Sequence, residues 1–204
     1  MGWTFSREMF EIQPSGDGRF VPDSTAPNAA TAASARCIHP RRYRLKGLPR
    51  SMQIRNYRPA DLDAVLDVFQ RAVHETAARD YKPEEIEAWA PEPADRVMWE
   101  KRLASRHTWV CEEQGRIAGF ARVEPDGYVD LMFVHPDIQG RGVAALLFNR
   151  IIVWAKAQKV KTLFTESTVS GRGFFESRGF RVVSEQHLGR NGMTLLNYVM
   201  ERAV

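Results

Sequence analysis

Residues 128–154, YVDLMFVHPDIQGRGVAALLFNRIIVW, constrain this chain more than any other stretch. The first seven are rich in β-branched and aromatic types, as a buried strand is. From Val143 onward Leu146, Leu147, Ile151 and Trp154 recur at helical spacing, so a period near 3.6 replaces a period of 2. Between strand and helix lie Gln139, Gly140, Arg141, Gly142, Val143 and Ala144. Two of these lack a side chain that would block approach to the peptide N–H groups. A helix starting there carries roughly +0.5 of an elementary charge at its first turn. The expected occupant is a pyrophosphate.

Other anion loops fit less well. A Walker loop needs a Lys and a hydroxyl residue after its second Gly, and neither is present. Gly140, Gly142 and Ala145 do match G-x-G-x-x-A, with Glu166 further on, as in a dinucleotide fold. However, residues 135–139 separate the strand from the first Gly, and hairpins rather than βα units precede it. A plain flexible turn is the remaining alternative.

Val134, Pro136 and residues 139–144 read V-x-P-x-x-Q-G-R-G-V-A. This resembles the Q/R-x-x-G-x-G/A signature of the GNAT superfamily of acyl-CoA-dependent N-acyltransferases. Residues 174–180, FFESRGF, are similar to the same family's F-Y-E-K-x-G-F block and follow in the right order. The resemblance runs from about Met52 to Met200. Tyr81, Lys82, Pro83, Glu84, Glu85 and Trp89 further resemble a bacterial subgroup.

The resemblance implies acetyl-CoA as co-substrate, its pyrophosphate held by the amides of Gly140, Arg141, Gly142, Val143 and Ala144, with Gln139 at the loop's start. It implies that the strand through Met132, Phe133 and Val134 splays from the next and offers its backbone to the pantetheine arm. One of those N–H groups would polarise the thioester carbonyl. One departure stands out. Phe175 occupies the position where many members carry a Tyr that protonates the leaving thiolate; it can pack against pantetheine but has no proton to give. Tyr128 or Tyr198 could take that role, or water could.

The acceptor amine, with a pKa of about 10.4, is mostly protonated near neutrality and needs a base. Strand alternation places Tyr128, Asp130, Met132 and Val134 on one face. A carboxylate among Val, Leu, Met and Phe is costly to bury without a partner. Asp130 is thus the expected base, directly or through water, with Tyr128 beside it. The alternative is an Asp satisfied by Arg122 or another basic neighbour. Glu124 and Glu166 are further candidates.

The net charge of +4 is uneven: residues 1–51 carry eight basic and four acidic side chains, leaving 21 of each sign in the remainder. The formally neutral remainder gives no support for nucleic-acid binding. Only Cys37 and Cys111 are present, and five histidines are scattered, so no metal site is expected. Low cysteine use fits a reducing cytoplasm. No run reaches the ~18 apolar residues of a membrane span.

Residues 1–51, small, polar and punctuated by Pro and Gly, read as an irregular extension, dispensable or upstream of a natural start at Met52. Residues 52–204 read as one N-acetyltransferase domain. Its elements run strand, two or three helices, three antiparallel strands, helix, strand, helix, two strands. That order gives an α/β (α+β) fold: a mixed, mostly antiparallel sheet of about seven strands with helices on both faces. Tyr81, Ile86 and Trp89 either wall an acceptor pocket or pack as core. The expected function is direct acetyl transfer to a primary amine, with a small molecule as acceptor. Alternatives are a non-catalytic CoA-binding sensor or partner domain, and a lysine or N-terminal protein acetyltransferase. A homodimer is compatible with the sequence.

Overall fold

The computed structural model describes residues 4–5, 52–104 and 107–204. The described residues belong to one compact unit; Cys37 lies outside them. The irregular extension expected over residues 1–51 therefore also lies outside them, apart from one short strand. The strands are β1 (Thr4–Phe5), β2 (Met52–Asn56), β3 (Thr108–Glu113), β4 (Arg116–Val123), β5 (Val129–Val134), β6 (Thr162–Thr168), β7 (Arg181–Arg190) and β8 (Met193–Ala203). The α-helices are α1 (Leu62–Arg71), α2 (Pro83–Trp89), α3 (Arg96–Leu103), α4 (Val143–Ala157) and α5 (Val169–Ser177). Strands β2 to β8 are the seven expected from sequence, and β1 is additional.

Hydrogen bonding divides the strands into two antiparallel sheets, β2-β3-β4-β5 and β1-β6-β8-β7. They meet through a parallel bridge between Tyr128 and Phe164. Helices cover both faces, because each strand alternates apolar residues toward two separate cores. One core holds Phe120, Leu131 and Phe133 against Val65 and Phe69 of α1, Trp89 of α2 and Trp99 of α3. The other holds Cys111, Ala121, Met132 and Val134 against Leu147 and Ile151 of α4 and Phe175 of α5. Each fully buried large side chain contributes roughly 1.5–3 kcal/mol.

The first helical stretch, Pro59 to Arg79, is not uniform. A 3-10 turn (Pro59–Asp61) leads into α1, a π-helical turn (Ala72–Thr76) follows, and a second 3-10 turn (Ala77–Arg79) ends it. Asp61 holds the entry, accepting two hydrogen bonds from Arg55 at 2.7 and 2.8 Å and one from the Arg58 N–H at 2.8 Å. The closing hairpin is tighter than the four-residue turn expected, since β7 and β8 pair out to Arg190 and Met193.

Candidate functional site

The site is a wedge between β5 and β6. At its closed end Gly127 lies so near the Thr162 carbonyl that no side chain would fit. The Phe164 N–H donates to the Gly127 carbonyl at 3.2 Å, and the Thr165 hydroxyl donates to the Val129 carbonyl at 2.9 Å. Beyond Val129 the two strands belong to different sheets: β5 is the edge of its own, and on the side of β6 that faces it β1 pairs with Ser167 and Glu166. The reason lies in the register of β5. Arg122 opposes Leu131 while Val123 opposes Val129, so Asp130 is an extra residue, a β-bulge. A bulge bends its strand. Here it turns β5 away from β6 and leaves Met132, Phe133 and Val134 along the open half.

The amide loop stands at the mouth of this wedge. Gly140 and Gly142 both take left-handed backbone, φ 77° and 90°, which suits glycine alone among common residues. A Cβ on Gly140 would meet nothing within 4 Å, so the loop faces outward rather than into packed side chains. Gly142 is the N-cap of α4 and supplies no side-chain acceptor; the helix's first bond runs from the Leu146 N–H to the Gly142 carbonyl at 3.1 Å. The peptide N–H groups ahead of that bond are those a helix start presents to an anion. Several side chains fix the loop. Gln139 Nε2 donates to Thr76 Oγ1 at 2.8 Å, from the π-helical turn. Arg71 donates to both oxygens of Asp137 at 3.0 and 3.1 Å. Arg141 forms an ion pair at 2.6 Å with the buried Glu113. The resemblance would have Arg141 meet phosphate; here its guanidinium also ties the loop to β3.

Asp130 is tied into a pair of arginines. It is buried at 2 % exposure, and both carboxylate oxygens are engaged. Arg102 of α3 donates at 2.6 and 3.1 Å, and Arg122 of β4 makes a second, short contact. The bulge also breaks the alternation on which the expectation rested. Met132 and Val134 pack toward α4. Asp130 instead reaches Arg102 on α3, the helix whose Trp99 and Leu103 pack in the opposite core. A carboxylate held between two guanidiniums is stabilised in its charged form and is a poor proton acceptor. These contacts match the alternative weighed from sequence, an Asp satisfied by Arg122 and another basic neighbour.

Tyr128 lies at the far end of the strand from Val134. Its ring packs on Phe164 at 5.3 Å, at the closed end of the wedge. At about 3.3 Å per strand residue, that is roughly 13 Å short of Met132. Phe175 is fully buried against Phe174 and Phe180, with ring centroids 5.4 and 5.1 Å away. Tyr81, Ile86 and Trp89 are all buried core residues, the second of the two readings open from sequence. Glu124 pairs with Arg122 at 2.5 Å near the closed end. Cys111 is buried and unbridged, and burial pushes its thiol up to about 12, which disqualifies it as an acyl-carrying nucleophile. Among the described residues no group of His, Cys, Asp and Glu could hold a metal.

Two contributors escaped the sequence reading. Gly119 of β4 lets α4 approach: a Cβ there would come within 2.6 Å of the Phe133 carbonyl and 2.9 Å of Val143. Arg102 sits among exposed charges of a helix with no clear apolar stripe, so nothing local marks it as the buried partner of Asp130. No described helix is long and apolar enough to cross a membrane.

Comparison with known proteins agrees with this geometry. The family described as "Acetyltransferase (GNAT) domain" matches residues 77–202. The uncharacterised N-acetyltransferase YafP of Escherichia coli strain K12 is 34% identical over 151 residues, covering 74% of this chain and 95% of YafP. The crystal structure of a GCN5-related N-acetyltransferase from Rhodopseudomonas palustris superposes with a TM-score of 0.73 at 28% identity, covering 76% of this chain and 96% of that one. PaiA N-acetyltransferase from Thermoplasma acidophilum, in complex with coenzyme A, shares the fold at TM-score 0.64 and 16% identity, over 76% of this chain and 99% of that one. With its wedge, its amide loop and these relatives, the chain belongs to the GNAT family and is an acyl-CoA-dependent N-acetyltransferase.

Proposed function

We propose that the protein transfers the acetyl group of acetyl-CoA to the primary amine of a small molecule by direct attack in a ternary complex. The observation that carries this reading is the edge of β5, which no strand extends as a ladder although β1 lies against β6 in the same wedge, beside an amide loop that faces outward. The amides of Gly140, Arg141, Gly142, Val143 and Ala144 take the pyrophosphate, with Gln139 bracing the loop. The backbone of Met132, Phe133 and Val134 takes the pantetheine arm and polarises the thioester carbonyl. Phe175 backs that arm as packing. The coenzyme A held by the PaiA neighbour supports the choice of cofactor.

The amine nitrogen attacks the thioester carbon, the C–S bond breaks, and two protons must move. The base is assigned to Glu166 by its place beside the wedge, where it opposes Phe5 of β1. It lies on β6, half-buried, two residues before Thr168 and on the same strand face. The proton for the departing thiolate falls to Tyr198, half-buried on β8 opposite Ser167 near the open end, with the Arg172 guanidinium 4.8 Å over its ring. The domain responsible is residues 52–204. The buried free thiol of Cys111 fits a reducing compartment, and the cytoplasm is the proposed location.

The test is release of free thiol from acetyl-CoA over a panel of small amines. Turnover with at least one amine is expected, and Glu166→Gln should lower kcat by about 100-fold, within the range of general-base catalysis, while coenzyme A affinity holds. Tight coenzyme A binding without thiol release from any amine would favour a non-catalytic CoA-binding domain instead.

A further inference from the structure

At the open end of the second sheet, three side chains stand abreast: Thr168 of β6 opposes Asn197 of β8, which opposes Gln186 of β7. Directly opposed residues of antiparallel strands share a face. Two residues along, Leu195 and Leu188 oppose each other and pack in the core with Trp89 and Tyr81, so this face looks toward α2. Thr168 is already engaged, its hydroxyl accepting the Gly171 N–H at 3.0 Å to cap α5. The two amides are not. Asn197 has no exposure, yet neither its Nδ2 nor its Oδ1 has a hydrogen-bond partner, and the buried Nε2 of Gln186 also lacks one. A primary amide buried with both ends unpaired is destabilising and calls for a reason.

Position supplies that reason. The closed end of the wedge lies at Phe164, four residues back along β6 from Thr168, so the amides sit beside the mouth where an acceptor must enter. Tyr81 fixes the adjoining segment, donating to the Leu196 carbonyl at 2.7 Å and accepting from the Val169 N–H at 3.1 Å. Three unpaired atoms belong to this row: two N–H donors and one carbonyl acceptor, all neutral. A buried carboxylate would find no counter-charge in this set, and Glu166, on the same face one row away, would repel it. A carboxamide matches, because one amide edge pairs with another, donor to acceptor and acceptor to donor.

We propose that Asn197 and Gln186 determine acceptor specificity, binding a neutral amide group carried by the amine substrate. This rests on the acetyl-transfer reading above and narrows its substrate class to amino amides. The test compares three amines of matched length, β-alaninamide, β-alanine and 3-methylbutylamine, with wild type, Asn197→Leu and Gln186→Met. Wild type should favour β-alaninamide over the isosteric alkyl amine by at least about tenfold in kcat/KM, since a site built for hydrogen bonds rejects an analogue lacking them. Asn197→Leu should remove that preference, leave the acetyl-CoA KM unchanged and melt no lower than wild type. Gln186→Met should reduce the preference in part. Equal use of the alkyl amine by wild type would overturn the proposal alone. So would an Asn197→Leu protein that melts lower and slows with all three amines alike, the behaviour of a structural amide. Absence of thiol release with every amine tried would overturn the acetyl-transfer reading itself.

Discussion

A single side chain shows how far residue-level reasoning reaches in this molecule. Asp130 was legible as an acid that needs a partner, because a carboxylate in an apolar strand cannot be buried alone. Its face was not legible, because an inserted residue reverses alternation and leaves no trace in composition. Its second partner was equally hidden, since Arg102 lies on a helix whose other basic residues face water. A structural anchor and a base respond differently to substitution. Asp130→Asn removes the carboxylate charge between two buried guanidiniums, of which Arg122 retains Glu124, at a cost of about 3 kcal/mol, read as a lower melting temperature. A base would instead lose rate at an unchanged melting temperature. Asp61 makes the same kind of point at the entry to the first helix. The Arg55 guanidinium, chiefly by hydrogen bonding, holds its carboxyl below the usual carboxylate range. A depressed pKa stabilises the fold above the unfolded value, about 3.9, and that contribution is lost as pH falls through the folded value. The melting temperatures of wild type and Asp61→Asn should therefore differ most near neutrality and converge below about pH 4.

Elements were read more reliably than their joints. Strand β5, the amide loop and α4 follow from a change of period and two glycines, and the structure places all three where the sequence does. Gly179, expected to end α5, does so with φ 84°. What the sequence withheld was how elements touch. Gly119 looks like any glycine inside a strand until α4 is seen resting on it. The π-helical turn Ala72–Thr76 reads as ordinary helix, yet it carries the Thr76 hydroxyl that holds Gln139. The loop itself offers the sharpest test at this scale. Gly142→Glu puts a carboxylate at a left-handed position in the anion seat, and coenzyme A affinity should fall by at least about 100-fold in a titration. Undiminished affinity would remove the seat from the mechanism.

At the scale of the whole molecule, the seven strands and two layers of helix were legible because each hydrophobic run carries its own period. The division into two sheets was not, since it depends on where pairing stops rather than on where strands occur. Residues 52–204 contain every residue assigned a role here. A chain starting at Met52 should fold cooperatively and bind coenzyme A no more weakly than the full chain, as calorimetry and titration would show. Loss of either would make residues 1–51 part of the working protein. The clasp at Gly127 has a mechanical consequence. Because β5 and β6 bond directly to each other near Gly127 and Val129, with β1 against β6 farther along, each behaves as a lever turning about that first contact. Over the roughly 20 Å spanned by six strand residues, a tilt of about three degrees shifts the far tip by ~1 Å. Packing at the fulcrum, remote from any reacting atom, therefore sets the reach between nucleophile and thioester to a fraction of a bond length.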